Sequence, residues 1–245
     1  MLTIACKHLK RFIYQLFNKL SVFVCKLASP IYSVNKRYSV YTYVVVHLRK
    51  TEKSRKICNF KIMNKSTIYS IGHGNKKIED FIDELKSFNI HFLLDIRSKP
   101  YSKWNPQFNQ AQLDNELKKH QITYVFVGET LGGLPSDRSC YDYDGKVVYD
   151  LIKEKDFFKQ GLKRLTTAND KKINLAIMCS ESKPEECHRS KLIGQELLKE
   201  EVSLNHIVSA KRTKSQLSVM NELTKGKGTV DLFGNEMDFT SRKSY

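Results

Sequence analysis

No run in this chain reaches the ~18 uncharged apolar residues that a membrane-spanning helix needs. The best apolar stretches, near residues 12–28 and 38–48, are interrupted by Lys19 and Lys26 or are too short. There is no CxxC pair and no evenly spaced cysteine framework; Cys6, Cys25 and Cys58 lie early, Cys140, Cys179 and Cys187 late. A zinc ribbon and a small secreted disulfide scaffold are thereby excluded, and a reducing cytoplasm is the expected location. Acids are nearly missing from the first quarter: residues 1–62 hold 13 Lys and Arg against Glu52 alone, so they carry +12 of the formal +16. The remaining +4 is spread over an ordinary, mildly basic sequence, which weakens the nucleic-acid reading that the total charge invites.

The basic quarter and the rest differ in pattern as well as charge. Leu9, Phe12, Ile13, Leu16, Phe17 and Leu20 recur at helical spacing with basic residues largely on the other side, the pattern of a targeting or membrane-surface helix. The competing account is that Met63 is the true start and residues 1–62 are upstream sequence without a selected fold. An α/β domain is expected over 63–212 and a polar tail over 213–245, with a small apolar island at 230–233.

From residue 67 short apolar runs alternate with amphipathic ones. Strands are predicted at 67–71, 91–94, 123–127, 173–178 and 204–208. Helical faces lie between them, for example Ile78, Phe81, Ile82 and Leu85. This rhythm predicts a Rossmann-like α/β fold: a mostly parallel sheet of about five strands with helices on both faces.

Four of these strands end in polar or glycine-rich residues. His73 stands between two glycines, Asp95 precedes Arg97, Gly132 and Gly133 follow the third strand, and Cys179 with Glu181 ends the fourth. Parallel strands end along one sheet edge, so these residues are expected in one cleft. Cys187, His188 and Arg189 follow the fourth strand, at the entry to a helix that Pro184 could open. Arginine forks and helix N-termini suit anions. The expected ligand is therefore small and anionic or phosphorylated, bound by Arg97, Gly132, Gly133, Cys187 and Arg189. His73, Asp95, Cys179, Glu181 and His188 are candidates for proton transfer or nucleophilic chemistry. No particular cofactor follows from these residues.

Other readings stay open. Asp95 and Arg97 could form a buried structural bridge, and the glycine pair could mark only a turn. Trp104 is expected in the core rather than as a stacking surface. A nucleic-acid-binding module would use Arg97, Lys99, Lys103, Trp104 and Arg189, and a thiol or metal sensor would use Cys179 and Cys187. No metal ligands are assigned, because neighbours such as Cys187 and His188 seldom point at one ion and no fourth ligand is evident. No Cys-x5-Arg phosphatase loop is present.

The run Asp95-Ile96-Arg97-Ser98-Lys99-Pro100-Tyr101-Ser102, then Pro106-Gln107-Phe108-Asn109, Leu131-Gly132-Gly133, Met178-Cys179-Ser180-Glu181 and Cys187-His188-Arg189 resembles the family called "domain of unknown function 488". Ile71-Gly72-His73 and Asp231-Leu232-Phe233 look similar too, so the resemblance covers about residues 66–235. Ser180 stands where the family pattern has alanine. The resemblance implies the domain boundaries and the grouping of these residues, but no activity.

Overall fold

The computed structural model describes residues 68–229 and 236–245. The predicted basic helix, the apolar stretch at 38–48, Met63 and the island at 230–233 lie outside the described residues.

Six strands form the main sheet: β1 (Ile68–Gly72), β2 (Phe92–Asp95), β3 (Thr123–Phe126), β5 (Leu175–Cys179), β6 (Asn205–Ser209) and β7 (Arg212–Ser215). Their spatial order is β3-β2-β5-β1-β6-β7. The first five are parallel, as expected, and β7 is antiparallel to β6 at the edge. β7 is a sixth strand, which no apolar pattern in the sequence marks. β4 (Lys146–Val148) and β8 (Thr240–Ser244) pair antiparallel in a separate small sheet.

All five residues of β5 are buried, as expected of a central strand with apolar faces on both sides. Its alternation assigns the two faces. Ala176 and Met178 join Phe81, Ile82 and Leu85 of α1 (Ile78–Ser87) and Leu113 and Leu117 of α2 (Gln110–Lys119). Leu175, Ile177 and Cys179 face the other way. Their neighbours include Phe158 and Leu165 of α5 (Asp156–Asp170), and Leu192 and Ile193 of a π-helical segment (Arg189–Gly194). Phe81 is fully buried, and its truncation to alanine is expected to cost ~3–5 kcal/mol. The remaining α-helices among the described residues are α3 (Gly128–Leu131), α4 (Tyr149–Lys153), α6 (Gln195–Lys199) and α7 (Gln216–Leu223).

This topology fixes where a crevice opens. The chain leaves β1 and β2 through helices on one face and leaves β5 through helices on the other. The C-terminal end of β5, between its neighbours, is therefore a topological switch point, where open α/β sheets part to form a crevice. Backbone bonds continue past the strands there: His73 N–H donates to the Cys179 carbonyl (3.1 Å) and Gly74 N–H to that of Ser180 (3.0 Å). Gly72 makes this possible. A Cβ on it would lie 1.9 Å from the Glu181 carbonyl oxygen. Among the described residues no helix is long and apolar enough to cross a membrane.

Candidate functional site

A cleft of ≈ 360 Å³ opens at this switch point. The ends of β1, β2 and β5 supply His73, Arg97 and Cys179; the loops beyond them supply Lys99, Tyr101, Ser180 and Glu181. Gly133, Cys187 and His188 line it as well.

Asp95 does not line the cleft; it aims Arg97 into it. The carboxylate is fully buried and accepts from Arg97 Nε (2.9 and 3.1 Å), Arg97 Nη2 (2.6 Å), the Arg97 backbone N–H (3.0 Å) and Tyr124 Oη (2.7 Å). Arg97 Nη2 also donates to the Phe108 carbonyl (2.7 Å). Both carboxylate oxygens are saturated by charge-assisted bonds, which leaves no lone pair suited to abstracting a substrate proton. Asp95 is thus a positioning residue. Burial, with the adjacent Asp95 charge, pushes the Tyr124 hydroxyl up, so it remains a neutral donor. Arg97 keeps one nitrogen, Nη1, whose nearest partner is His73 Nε2 at 3.4 Å.

His73 is neutral, with its tautomer set by geometry. Nδ1 donates to the Gly74 carbonyl (2.8 Å), which leaves Nε2 as an acceptor facing Arg97. The ring stacks on Phe108 with centroids 4.3 Å apart. Burial lowers its pKa to about 4.

Cys179, Cys187 and His188 form the floor. Their donor atoms all lie within 4.8 Å of one another, and all three residues are buried. His188 Nδ1 is 3.8 Å from Cys179 Sγ and 3.7 Å from Cys187 Sγ. Neighbouring residues were expected to diverge here, and the backbone explains why they do not. Cys187 is extended (φ −112°, ψ 148°) and His188 is already helical (φ −61°, ψ −21°), so the chain turns between them. Gly133 makes room for the ring; a Cβ there would stand 2.8 Å from His188 Nδ1. The hydrogen bond from Cys187, helped by His188 and Arg189, holds the Cys179 thiol well below its ordinary range against the effect of burial. Burial, and then the adjoining Cys179, push Cys187 the other way.

The family model described as "Domain of unknown function DUF488" matches residues 77–195. That span holds the Asp95–Arg97 fork and the Cys179, Cys187 and His188 floor. The chain carries a DUF488 domain. No curated protein and no solved structure matches the chain significantly.

Two expected ligand-binding residues of the DUF488 domain fall outside the cleft lining. Gly132 packs behind it, where a Cβ would meet the Gly128 carbonyl at 2.2 Å. Arg189 is 1 % exposed and runs beneath the 180–182 loop, with Nη2 donating to the Ser182 carbonyl (2.9 Å). Its Nε and Nη1 have no hydrogen-bond partner among the described residues. The helical turn after His188 points this side chain back toward Gly72, away from the opening. Trp104, expected in the core, is 91 % exposed.

Part of the wall carries no signal in the sequence. Ser241, Arg242 and Tyr245 come from β8 and the residue after it, and Tyr149 from α4. Arg242 bonds Glu186 (2.8 Å) and Glu181 (3.3 Å) across the rim. Nothing in the polar run Thr240–Ser244 marks it as a strand; only its pairing with β4 brings it here.

Proposed function

We propose that the cleft binds a small anionic ligand, a nucleotide or another phosphorylated molecule, at the carboxyl edge of the sheet. The observation that carries this reading is Arg97. Its guanidinium is locked on one side by Asp95 and the Phe108 carbonyl, and it presents Nη1 toward the cleft beside a neutral His73. A fixed guanidinium loses little entropy on binding an oxyanion, which favours it over a mobile surface lysine. Lys99 and Arg242 line the same space. In this reading Arg242 exchanges its rim carboxylates for the ligand, and His73 Nε2 accepts a hydrogen bond or a proton from it.

The test is equilibrium binding of nucleotides, sugar phosphates and inorganic phosphate to the wild-type chain and to Lys99→Ala and Arg242→Ala. Each loses a charge-assisted contact, so affinity is expected to fall about tenfold or more, with little change in Tm. Unchanged affinity in both variants contradicts the reading.

Exposed Trp104, with Tyr101 also largely exposed and Lys99 and Lys103 beside them, favours a second reading. Here the base of a single-stranded nucleic acid stacks on the loop while phosphates reach the cleft. Steep salt dependence of oligonucleotide binding, with loss on Trp104→Ala, would favour it over a mononucleotide.

A further inference from the structure

We propose that Cys179, Cys187 and His188 bind a single soft divalent cation, zinc by preference, through Cys179 Sγ, Cys187 Sγ and His188 Nδ1, with the fourth coordination position toward the cleft. The proposal stands apart from anion binding, because the donors and their geometry need no second ligand.

Tetrahedral zinc with two thiolates and one imidazole places its donor atoms about 3.5–3.8 Å apart. His188 Nδ1 lies 3.8 and 3.7 Å from the two sulphurs, and the whole set lies within 4.8 Å. Closing on an ion therefore needs only small side-chain adjustments. The three residues are held by the backbone. Cys179 ends the central strand, and its carbonyl accepts from His73. Cys187 N–H donates to the Pro184 carbonyl (3.1 Å), and the Cys187 carbonyl accepts from Ser190 and Lys191 N–H (3.2 and 3.1 Å). Ser190 Oγ ties the same turn to Pro184 and Cys187.

The donor set is not committed elsewhere. Both thiols are free of disulfides. Among the described residues the two sulphurs are the only hydrogen-bond partners of His188 Nδ1, and Nε2 has none. No protein oxygen thus fixes a proton on Nδ1, and its lone pair is available to an ion. Two thiolates neutralise a divalent charge, and sulphur donors select zinc over magnesium or calcium. Three protein ligands beside an open cleft are the pattern of a catalytic rather than a structural zinc site. The metal would sit on the same floor that His73 and Arg97 overlook.

The experiment titrates cobalt(II) into the reduced, metal-free full-length chain and then displaces it with zinc. The expected result is one equivalent bound, with thiolate-to-cobalt absorption in the near ultraviolet that zinc abolishes. Cys179→Ser and Cys187→Ser should each weaken binding by roughly 100-fold or more, while Cys140→Ser leaves it unchanged. If a serine variant does not fold, zinc-edge X-ray absorption on the wild-type chain decides, with two sulphur neighbours expected. Absence of tight binding, a cobalt band that survives both serine substitutions, or a zinc shell without sulphur overturns the proposal. Any of these leaves the anion-binding reading untouched, because its test uses phosphates and no metal.

Discussion

Arg97 grips Asp95 through Nε and Nη2 at once, with the shortest contact 2.6 Å, and both groups are buried. This pair holds the cleft's fixed cation in place. Asp95→Asn keeps the shape but removes the charge, leaving a buried guanidinium without its counter-ion. Breaking a buried pair from one side costs ~3–5 kcal/mol. A fall in denaturant midpoint of that order is expected, whereas Lys99→Ala on the rim should stay within ~0.5 kcal/mol of wild type. Equal, small effects of the two substitutions would show that the fork is not structural.

Glycine substitutions separate backbone from side-chain constraints. At Gly72 an added Cβ meets the Glu181 carbonyl oxygen at 1.9 Å, and main chain cannot swing away; at Gly133 it meets the His188 ring at 2.8 Å. Gly72→Ala should therefore sharply lower Tm and the yield of folded protein. Gly133→Ala should fold and displace the imidazole, a shift visible in the His188 ring resonances. If Gly133→Ala unfolds the domain while Gly72→Ala does not, the packing of the switch point has been misread.

Stability should fall on acidification. His206 is buried and neutral; Ser70 Oγ donates to Nδ1 (2.6 Å) and Nε2 donates to Gln216 Oε1 (2.8 Å). Burial, with Arg189 nearby, lowers its pKa to about 3. The unfolded chain, with histidine near its ordinary value, then binds the proton that the folded chain refuses. Stability is thus fully present above pH ~6.5 and is lost as pH falls toward ~3, at up to about 1.4 kcal/mol per pH unit for this group. His73 has the same sign, its pKa lowered to about 4. His206→Gln should remove its share of the slope between pH 6 and pH 4 (about one proton). An unchanged slope in that variant would contradict the assignment.

Five strands and their covering helices were legible because each has a periodic apolar face, as in Ile78, Phe81, Ile82 and Leu85. Their shared direction then brought His73, Arg97 and Cys179 to one edge without any local motif. β7 and β8 were not legible, since RTKS and TSRKS are polar edge segments defined by their partners. Arg242 followed β8 into the wall for the same reason. Arg189 and Trp104 exchanged their expected environments. A π-helical turn carries the arginine inward beneath the 180–182 loop, and the tryptophan sits at an exposed loop position that residue type alone does not reveal. The convergence of Cys187 and His188 depends on a single change of backbone conformation between adjacent residues, which spacing in sequence cannot express.

Amide and arginine side-chain NMR of the isotopically labelled chain, titrated with adenosine monophosphate and with inorganic phosphate, tests the cleft most directly. The account predicts saturable shifts centred on the Arg97 Nε–H, His73, Lys99 and residues 179–181, with the nucleotide adding shifts at Tyr101 and Trp104. Shifts confined to other surfaces, or none at saturating ligand, would contradict it.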